Sequence, residues 1–320
     1  MLRRRITLLA VVPALAMLAA CQGGSTKGTA APDTVRVAHL PSTLFAPLYL
    51  ADAKGYFKQE GIKVVLQSVK SGQDAVPLAA SGKVDAVVAG FSAGLFNGVS
   101  KGLKVKVAGS MGASTGATPS PTALEVSKRL VGFKKASDLR GRKIAVAGGA
   151  GAAGGYQLAE TLRQAGLGLK DVKVVNVAAP DMKAALTSGG VDAALAPAPF
   201  TTAMEEGGVA KPAAVPPKGT TATGVIFGDA FDGKPTADKF LSALRKGAED
   251  LQGNGRTSDE TLRILAKATG QKLEVLRKTP PYQWDPQLKP NAGQLEKMQD
   301  TYREAGLLTG GPVPVKRLIG

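Results

Sequence analysis

The chain has 320 residues, of which 44 % are hydrophobic and 21 % charged, with a formal charge of +16, one cysteine and one histidine. One cysteine excludes structural disulfides and cysteine-rich metal centres, and one histidine excludes a histidine pair for a metal. The lysines and arginines are scattered and aromatic residues make up only 5 %, so the stacking platform and basic stripe of a nucleic-acid groove are missing, and the charge reads as solvated surface or as a field that draws in anions.

At the N-terminus Arg3-Arg4-Arg5 precede an apolar run over 6–18, too short for a spanning helix, which is the pattern of an export signal. The run ends in Leu18-Ala19-Ala20-Cys21, which resembles the lipobox of bacterial lipoproteins. That resemblance implies a signal peptide over 1–20, a lipid on Cys21, and a place on the extracytoplasmic face of the cell membrane. Cleavage there would remove three arginines and no acid, leaving a charge of about +13. Residues 21–32 are rich in Gly, Ala, Ser and Thr without apolar periodicity and read as a flexible tether.

Beyond the tether, 34–40 is a short β run ending at Pro41, 48–60 has helical spacing closed by Gly61, and 62–69 is a second strand. Capping chemistry at Ser71-Gly72-Gln73-Asp74 opens a helix through Ala80, 84–89 forms a third strand and 104–109 a fourth. After a Gly/Ser/Thr/Pro-rich passage the pattern restarts, with strands at 143–147, 172–177 and 191–195 and helices at 156–164 and 182–188. Alternating strands and helices predict a mainly parallel sheet in each half. The tail predicts helices at 236–251, 258–268 and 292–305, separated by Thr279-Pro280-Pro281-Tyr282-Gln283-Trp284-Asp285-Pro286, which proline excludes from a helix. Trp284 reads as a packing anchor.

The restart is a repeat. Ser81-Gly82-Lys83-Val84-Asp85-Ala86 returns 107 positions on as Ser188-Gly189-Gly190-Val191-Asp192-Ala193, and at the same spacing Arg36-Val37-Ala38 becomes Lys143-Ile144-Ala145, Tyr49 becomes Tyr156 and Asp74 becomes Asp181. Self-similarity at a fixed period means one α/β unit folded twice. The expected organisation is a bilobal α/β protein with lobe one over 33–112, lobe two over 113–222, and a return to lobe one over 223–320. The two chain crossings would form a hinge.

Ligands of open α/β sheets sit outside the carboxyl ends of the strands. In lobe one that criterion points to His39, Ser42 and Phe45 after the first strand, Gln73 after the second, Phe91 and Ser92 after the third, and Ser110 and Met111 after the fourth. In lobe two it points to Gly149, Gly151 and Tyr156, to Asp181, and to Phe200. His39 suits a ligand hydrogen bond or a structural one equally. Phe45, Phe91, Tyr156 and Phe200 read either as an aromatic wall or as core, with Phe45 and Phe200 the better wall candidates.

Three enzyme motifs fail on inspection. Gly149, Gly151 and Gly154 have dinucleotide spacing after a strand, but the next strand ends at Asn176-Val177 without the acid that holds a ribose. The Gly-x-Ser-x-Gly spacing occurs at Ser92, Ser100 and Ser114, yet His39 precedes all three serines whereas a nucleophile elbow needs a later histidine. No Cys/His couple exists either, because Cys21 is the expected lipid site. No enzyme activity, metal or cofactor is therefore expected. The glycine loop keeps one physical property: its amides can approach an anion at a helix N-terminus.

Ala46-Pro47-Leu48-Tyr49-Leu50-Ala51, then Gly55-Tyr56-Phe57-Lys58-Gln59-Glu60-Gly61-Ile62, then Gly82-Lys83-Val84-Asp85-Ala86 resemble the substrate-binding proteins of ABC importers in the sulfonate, nitrate and thiamine-precursor group. Asp138-Leu139-Arg140-Gly141-Arg142-Lys143-Ile144-Ala145 and Gly189-Gly190-Val191-Asp192-Ala193 are similar to that group's second-lobe motifs, and the resemblance spans roughly residues 35–308. It implies a type II-like periplasmic-binding-protein fold, a small organic ligand held between the lobes, permease and ATPase partners, and no nucleic acid. Ala198 stands before Pro199-Phe200 where the group often has an acidic or aromatic residue, which leaves the ligand open between a sulfonate-like anion and a thiamine-type heteroaromatic. A related biosynthetic branch makes a thiamine pyrimidine with a cysteine-rich motif and several histidines, against which this chain offers only Cys21 and His39.

Overall fold

The computed structural model describes residues 33–69 and 72–319, so the signal, Cys21, the tether and Ser71 lie outside the described residues. The folded part contains two five-stranded sheets. The first is built from β1 (Asp33–His39), β2 (Ile62–Ser68), β3 (Ala86–Gly90) and β4 (Val105–Ser110), the second from β5 (Thr122–Ser127), β6 (Lys143–Val146), β7 (Lys173–Asn176), β8 (Ala193–Pro197) and β9 (Ala210–Ala214), and β10 (Thr223–Gly228) returns to the first. The orders are β2-β1-β3-β10-β4 and β7-β6-β8-β5-β9.

Each sheet holds one antiparallel strand among parallel ones, at the same position: β10 runs antiparallel to β3 and β4, and β5 antiparallel to β8 and β9. Each of these strands is the first one laid down after the chain crosses from the other lobe. The repeat is kept in register: Val37 faces Ala86 and His39 faces Val88 in the first sheet, while Ile144 faces Ala193 and Val146 faces Leu195 in the second.

The repeated aspartates explain that shared register. Asp85 Oδ2 accepts the N–H of Arg36 at 2.8 Å, and Asp192 Oδ2 accepts the N–H of Lys143 at 2.9 Å. The return bonds, Asp85 N–H to Arg36 O and Asp192 N–H to Lys143 O, are both 2.8 Å. Each aspartate thus clamps the entry of its strand pair at the sheet edge away from the carboxyl ends, and the motif that signals the family is scaffolding.

Helices cover both faces of each sheet. In the first lobe these are α1 (Ala46–Ala53), α2 (Tyr56–Gln59), α3 (Gly72–Ala80) and α4 (Ala93–Ser100), and in the second α5 (Ala153–Arg163), α6 (Met182–Ser188) and α7 (Phe200–Glu206). The tail adds α8 (Pro235–Glu249), α9 (Asp259–Thr269), α10 (Leu273–Lys278), α11 (Ala292–Glu304) and α12 (Val315–Ile319), all on the first lobe. The expected single helix over 48–60 is two, because the chain turns at Gly55 with φ +72°, a conformation open to a residue without a Cβ.

Strand alternation sorts the core. Val35, Val37, Ala86, Val88, Val225 and Phe227 point to one side of the first sheet, while Ala38, Val87, Ala89 and Ile226 point to the other. The second sheet does the same, with Leu124, Val126, Ile144 and Leu195 on one face and Ala145, Ala194 and Ala196 on the other. Alternation of this kind is what a sheet covered on both faces requires.

Candidate functional site

The two sheets meet through the loops at the carboxyl ends of their parallel strands. Ala93 N–H, just after β3, donates to Gly151 O in the loop after β6 at 2.8 Å. On either side of it Tyr302 of α11 donates its hydroxyl to Ala152 O at 2.8 Å, and Tyr156 of α5 donates to Gln294 Oε1 at 2.9 Å. A Cβ on Gly90 would lie 2.7 Å from the Cβ of Ala153 across this seam, so the approach depends on glycine. Exposed ion pairs Lys278–Glu206 at 2.9 Å and Arg163–Glu304 at 3.5 Å flank it, adding little energy of their own.

Beside the seam, three lengths of chain run together. Ala113 bridges Thr221 and Gln283, tying both crossings to the proline-rich tail segment, and Ser114 Oγ donates to Pro216 O at 2.7 Å. Tyr282 from that segment donates to Pro121 O at 3.0 Å and lies 3.0 Å from Thr122 Oγ1 at the start of β5. Burial pushes its hydroxyl up to about 12. Trp284 donates Nε1–H to Leu44 O at 2.9 Å and is buried, which makes it the packing anchor read from the sequence.

The sequence candidates divide by access. His39 is buried at the end of β1, its Nδ1 3.1 Å from the Tyr49 hydroxyl, and burial lowers its pKa, which favours the neutral ring. Tyr49 in turn donates to Leu40 O at 3.0 Å and accepts the Ser42 N–H at 3.3 Å. His39 and Tyr49 therefore shape the loop that carries Ser42, whose own Oγ accepts Leu44 N–H. Phe45 and Met111 are buried in one core cluster, Phe91 and Tyr156 in another. Ser92 is consumed as the N-cap of α4, accepting Leu95 N–H, and Ser110 Oγ accepts Asn291 N–H at 3.0 Å. What stays reachable is Ser42, Gln73, Asp181, the half-buried Phe200, and the glycine loop.

That loop turns through Gly148 and Gly149, both with positive φ, at +80° and +75°. Several amides are spent internally: Gly148 N–H goes to Asn176 Oδ1, Gly149 N–H to Val146 O, and Gly155 N–H to Ala152 O. Gly151 has no positive φ, and a Cβ there would rest 3.5 Å from Ala93, an ordinary contact. Its carbonyl, facing the other lobe, is the part in use.

The loops leaving β1, β3, β6, β7 and β8 contain no lysine or arginine before the helix that follows, whereas the loop after β2 carries Lys70, which lies outside the described residues. Those helices begin at the carboxyl end of a parallel strand, so the N-termini of α1, α3 and α4 from one lobe and α5 from the other lie on the side where the lobes meet. The helix dipole favours a negative group on that side, while the first amides of α4 and α5 are already given to Gly151 O, Ser92 and Ala152 O. The loop over 90–93 is among those the strand-end criterion marks, but the sequence did not point to Gln294, Tyr302 or Tyr282, since nothing local marks a tail residue that faces a second lobe.

Comparison with known proteins gives a fold and a family. The fold is that of two-lobed periplasmic binding proteins: the alkanesulfonate-binding protein SsuA from Xanthomonas axonopodis pv. citri, bound to MOPS, aligns with TM-score 0.69 at 18 % identity, covering 90 % of this chain and 99 % of that one. The aliphatic sulphonate binding protein SsuA of Escherichia coli aligns at 0.70 and 20 % identity, covering 90 % and 92 %. The nitrate-binding protein NrtA of Synechocystis PCC 6803 aligns at 0.66 and 14 %, covering 88 % and 84 %. Residues 42–256 match the NMT1/THI5-like family, and the chain belongs to it. A curated relative, 4-amino-5-hydroxymethyl-2-methylpyrimidine phosphate synthase of Aspergillus parasiticus, is 55 % identical over 40 residues, and the match spans 12 % of either protein.

Proposed function

We propose that this protein is the solute-binding component of an ABC importer, which closes its lobes on a small organic anion of sulfonate-like chemistry and presents the closed form to a membrane permease driven by an ATPase. The observation that carries the reading is that helices of both lobes begin at the carboxyl ends of parallel strands, on the side where the two lobes meet. An anion held there is recognised by amides and hydroxyls from both sides at once, so its binding free energy favours the closed arrangement over the open one. Sulfonate- and nitrate-binding relatives in the same fold support this choice of ligand class.

The function is capture, and the chemistry lies elsewhere. Cys21, if lipidated at its lipobox, tethers the protein to the extracytoplasmic face of the membrane. Among the described residues no helix is long and apolar enough to cross a bilayer. The 40-residue likeness to a pyrimidine phosphate synthase favours a second reading, a thiamine-type heteroaromatic ligand.

A thermal-shift screen over sulfonates, carboxylates, nitrate, pyrimidines and vitamins separates the two. A ligand at a hundred times its dissociation constant adds about 2.7 kcal/mol of stability. Stabilisation by sulfonates and not by pyrimidines supports the first reading, the reverse supports the second, and product formed from any stabilising compound would end both. Intact mass of the cell-derived protein tests the anchor: a mature chain starting at Cys21 without added acyl mass would refute lipidation.

A further inference from the structure

Between β5 and β6 the chain runs Lys128-Arg129-Leu130-Val131-Gly132-Phe133-Lys134-Lys135. Because β5 is antiparallel to its neighbours, this loop leaves the second sheet at the edge opposite the ligand cleft. Val131 is 92 % exposed, against 36 % for Val65, the other exposed large apolar side chain among the described residues. An apolar side chain held this far into solvent, next to the half-buried Leu130 and Phe133, forms a protruding tip and no groove.

The tip sits inside a ring of cations. Lys128, Lys134, Lys135 and Lys211 are exposed, and none of them forms an ion pair among the described residues. Lys211 lies with its ammonium 5.7 Å from the centre of the Phe133 ring. Asp138 is the only acid between 128 and 142, and its carboxylate accepts the backbone N–H groups of Lys134 and Lys135 at 2.9 and 3.0 Å. Those two bonds hold the backbone in a tight turn that keeps both lysines beside the tip. Arg129 is committed to Thr187 O.

We propose that this loop docks on an anionic lipid surface, with Leu130 and Val131 entering the boundary between headgroups and acyl chains and Lys128, Lys134, Lys135 and Lys211 meeting the phosphates. An apolar point ringed by unpaired cations complements a deformable layer that is negative outside and apolar beneath. The same shape offers a protein partner no cavity to fill. Docking at this edge leaves the cleft clear.

The test uses residues 32–320, which close into a compact unit of their own and lack the lipid site. The protein is sedimented with phosphatidylcholine vesicles and with vesicles that also contain phosphatidylglycerol. Binding is expected only to the second kind, and it should weaken as salt rises. Lys134→Glu with Lys135→Glu should lower partitioning by more than the roughly five-fold expected for loss of one lysine, from about 1 kcal/mol per cation. Val131→Asp should lower it without changing the melting temperature. Lys63→Glu with Lys316→Glu makes the same charge change on exposed residues elsewhere and should leave most of the binding intact. Absence of phosphatidylglycerol-dependent binding, equal losses in the two lysine pairs, or wild-type binding by Val131→Asp would each overturn the proposal.

Discussion

At the scale of single residues, Glu125 carries the largest consequence. It stands in the middle of β5 fully buried, its carboxyl facing that of Glu205, the one group near enough to share its proton, and neither oxygen makes a well-formed hydrogen bond among the described residues. Burial, and then the charge of Glu205 on α7, push its carboxyl up to about 8. The folded protein therefore keeps a proton that the unfolded chain releases near the ordinary glutamate value, and stability contributed by the neutral form is lost as pH rises from about 4.5 to about 8, at a slope of up to about 1.4 kcal/mol per pH unit. Depressed carboxylates such as Glu60, Asp138 and Asp171 act in the opposite sense and below that window. Glu125→Gln should be more stable than wild type at neutral and alkaline pH, with the difference shrinking toward pH 5. Denaturant melts of both proteins across this range check it, and a difference independent of pH would mean that the carboxyl ionises freely.

At the scale of elements, the paired strands and their aspartate clamps explain why one motif occurs twice. Asp85→Ala and Asp192→Ala each remove a charge-assisted bond to a backbone N–H, expected to cost about 1.5 to 3 kcal/mol in denaturant melts. Ligand affinity of either variant should be unchanged once it is folded, because both clamps lie at the sheet edge remote from the cleft. A variant of normal stability and lost affinity would contradict that placement. These elements were legible in the sequence because their signals are local: apolar alternation, glycine after a helix, and the repeated spacing. The antiparallel strands β5 and β10 were not read as strands, although Thr122–Ser127 and Thr223–Gly228 are wholly buried. A short buried run has no periodicity to announce it.

At the scale of the whole molecule, closure rests on small residues. Gly90→Val puts a side chain into Ala153 across the seam while its own lobe leaves room, the nearest other atom being Ala222 O at 3.8 Å from the Cβ. Overpacking of this kind costs about 1 to 3 kcal/mol, here charged to the closed state alone, so affinity should fall by roughly one to two decades with little change in melting temperature. Small-angle scattering should show a larger radius of gyration. Unchanged radius and affinity would mean that the seam does not control closure. Tyr302→Phe and Tyr156→Phe, which each remove one hydroxyl bond across the seam, should weaken ligand binding by smaller steps of about 0.5 to 1.5 kcal/mol, measured by calorimetry with the ligand found in the screen.

The amino-acid sequence by itself determined the doubled α/β unit, its parallel strands and the loops at their carboxyl ends, because each depends on periodicity and turn chemistry within some tens of residues. Only the tertiary structure decided which candidates are buried and which stay exposed. Phe45, Phe91 and Tyr156 look alike in sequence to Phe200, yet only Phe200 is not fully buried. The difference is made by β10, α11 and the Tyr282 segment, which come from far along the chain to cover the first lobe and the crossings. Burial is set by what packs against a side chain, and the partners here lie more than a hundred residues away, beyond the reach of any local pattern.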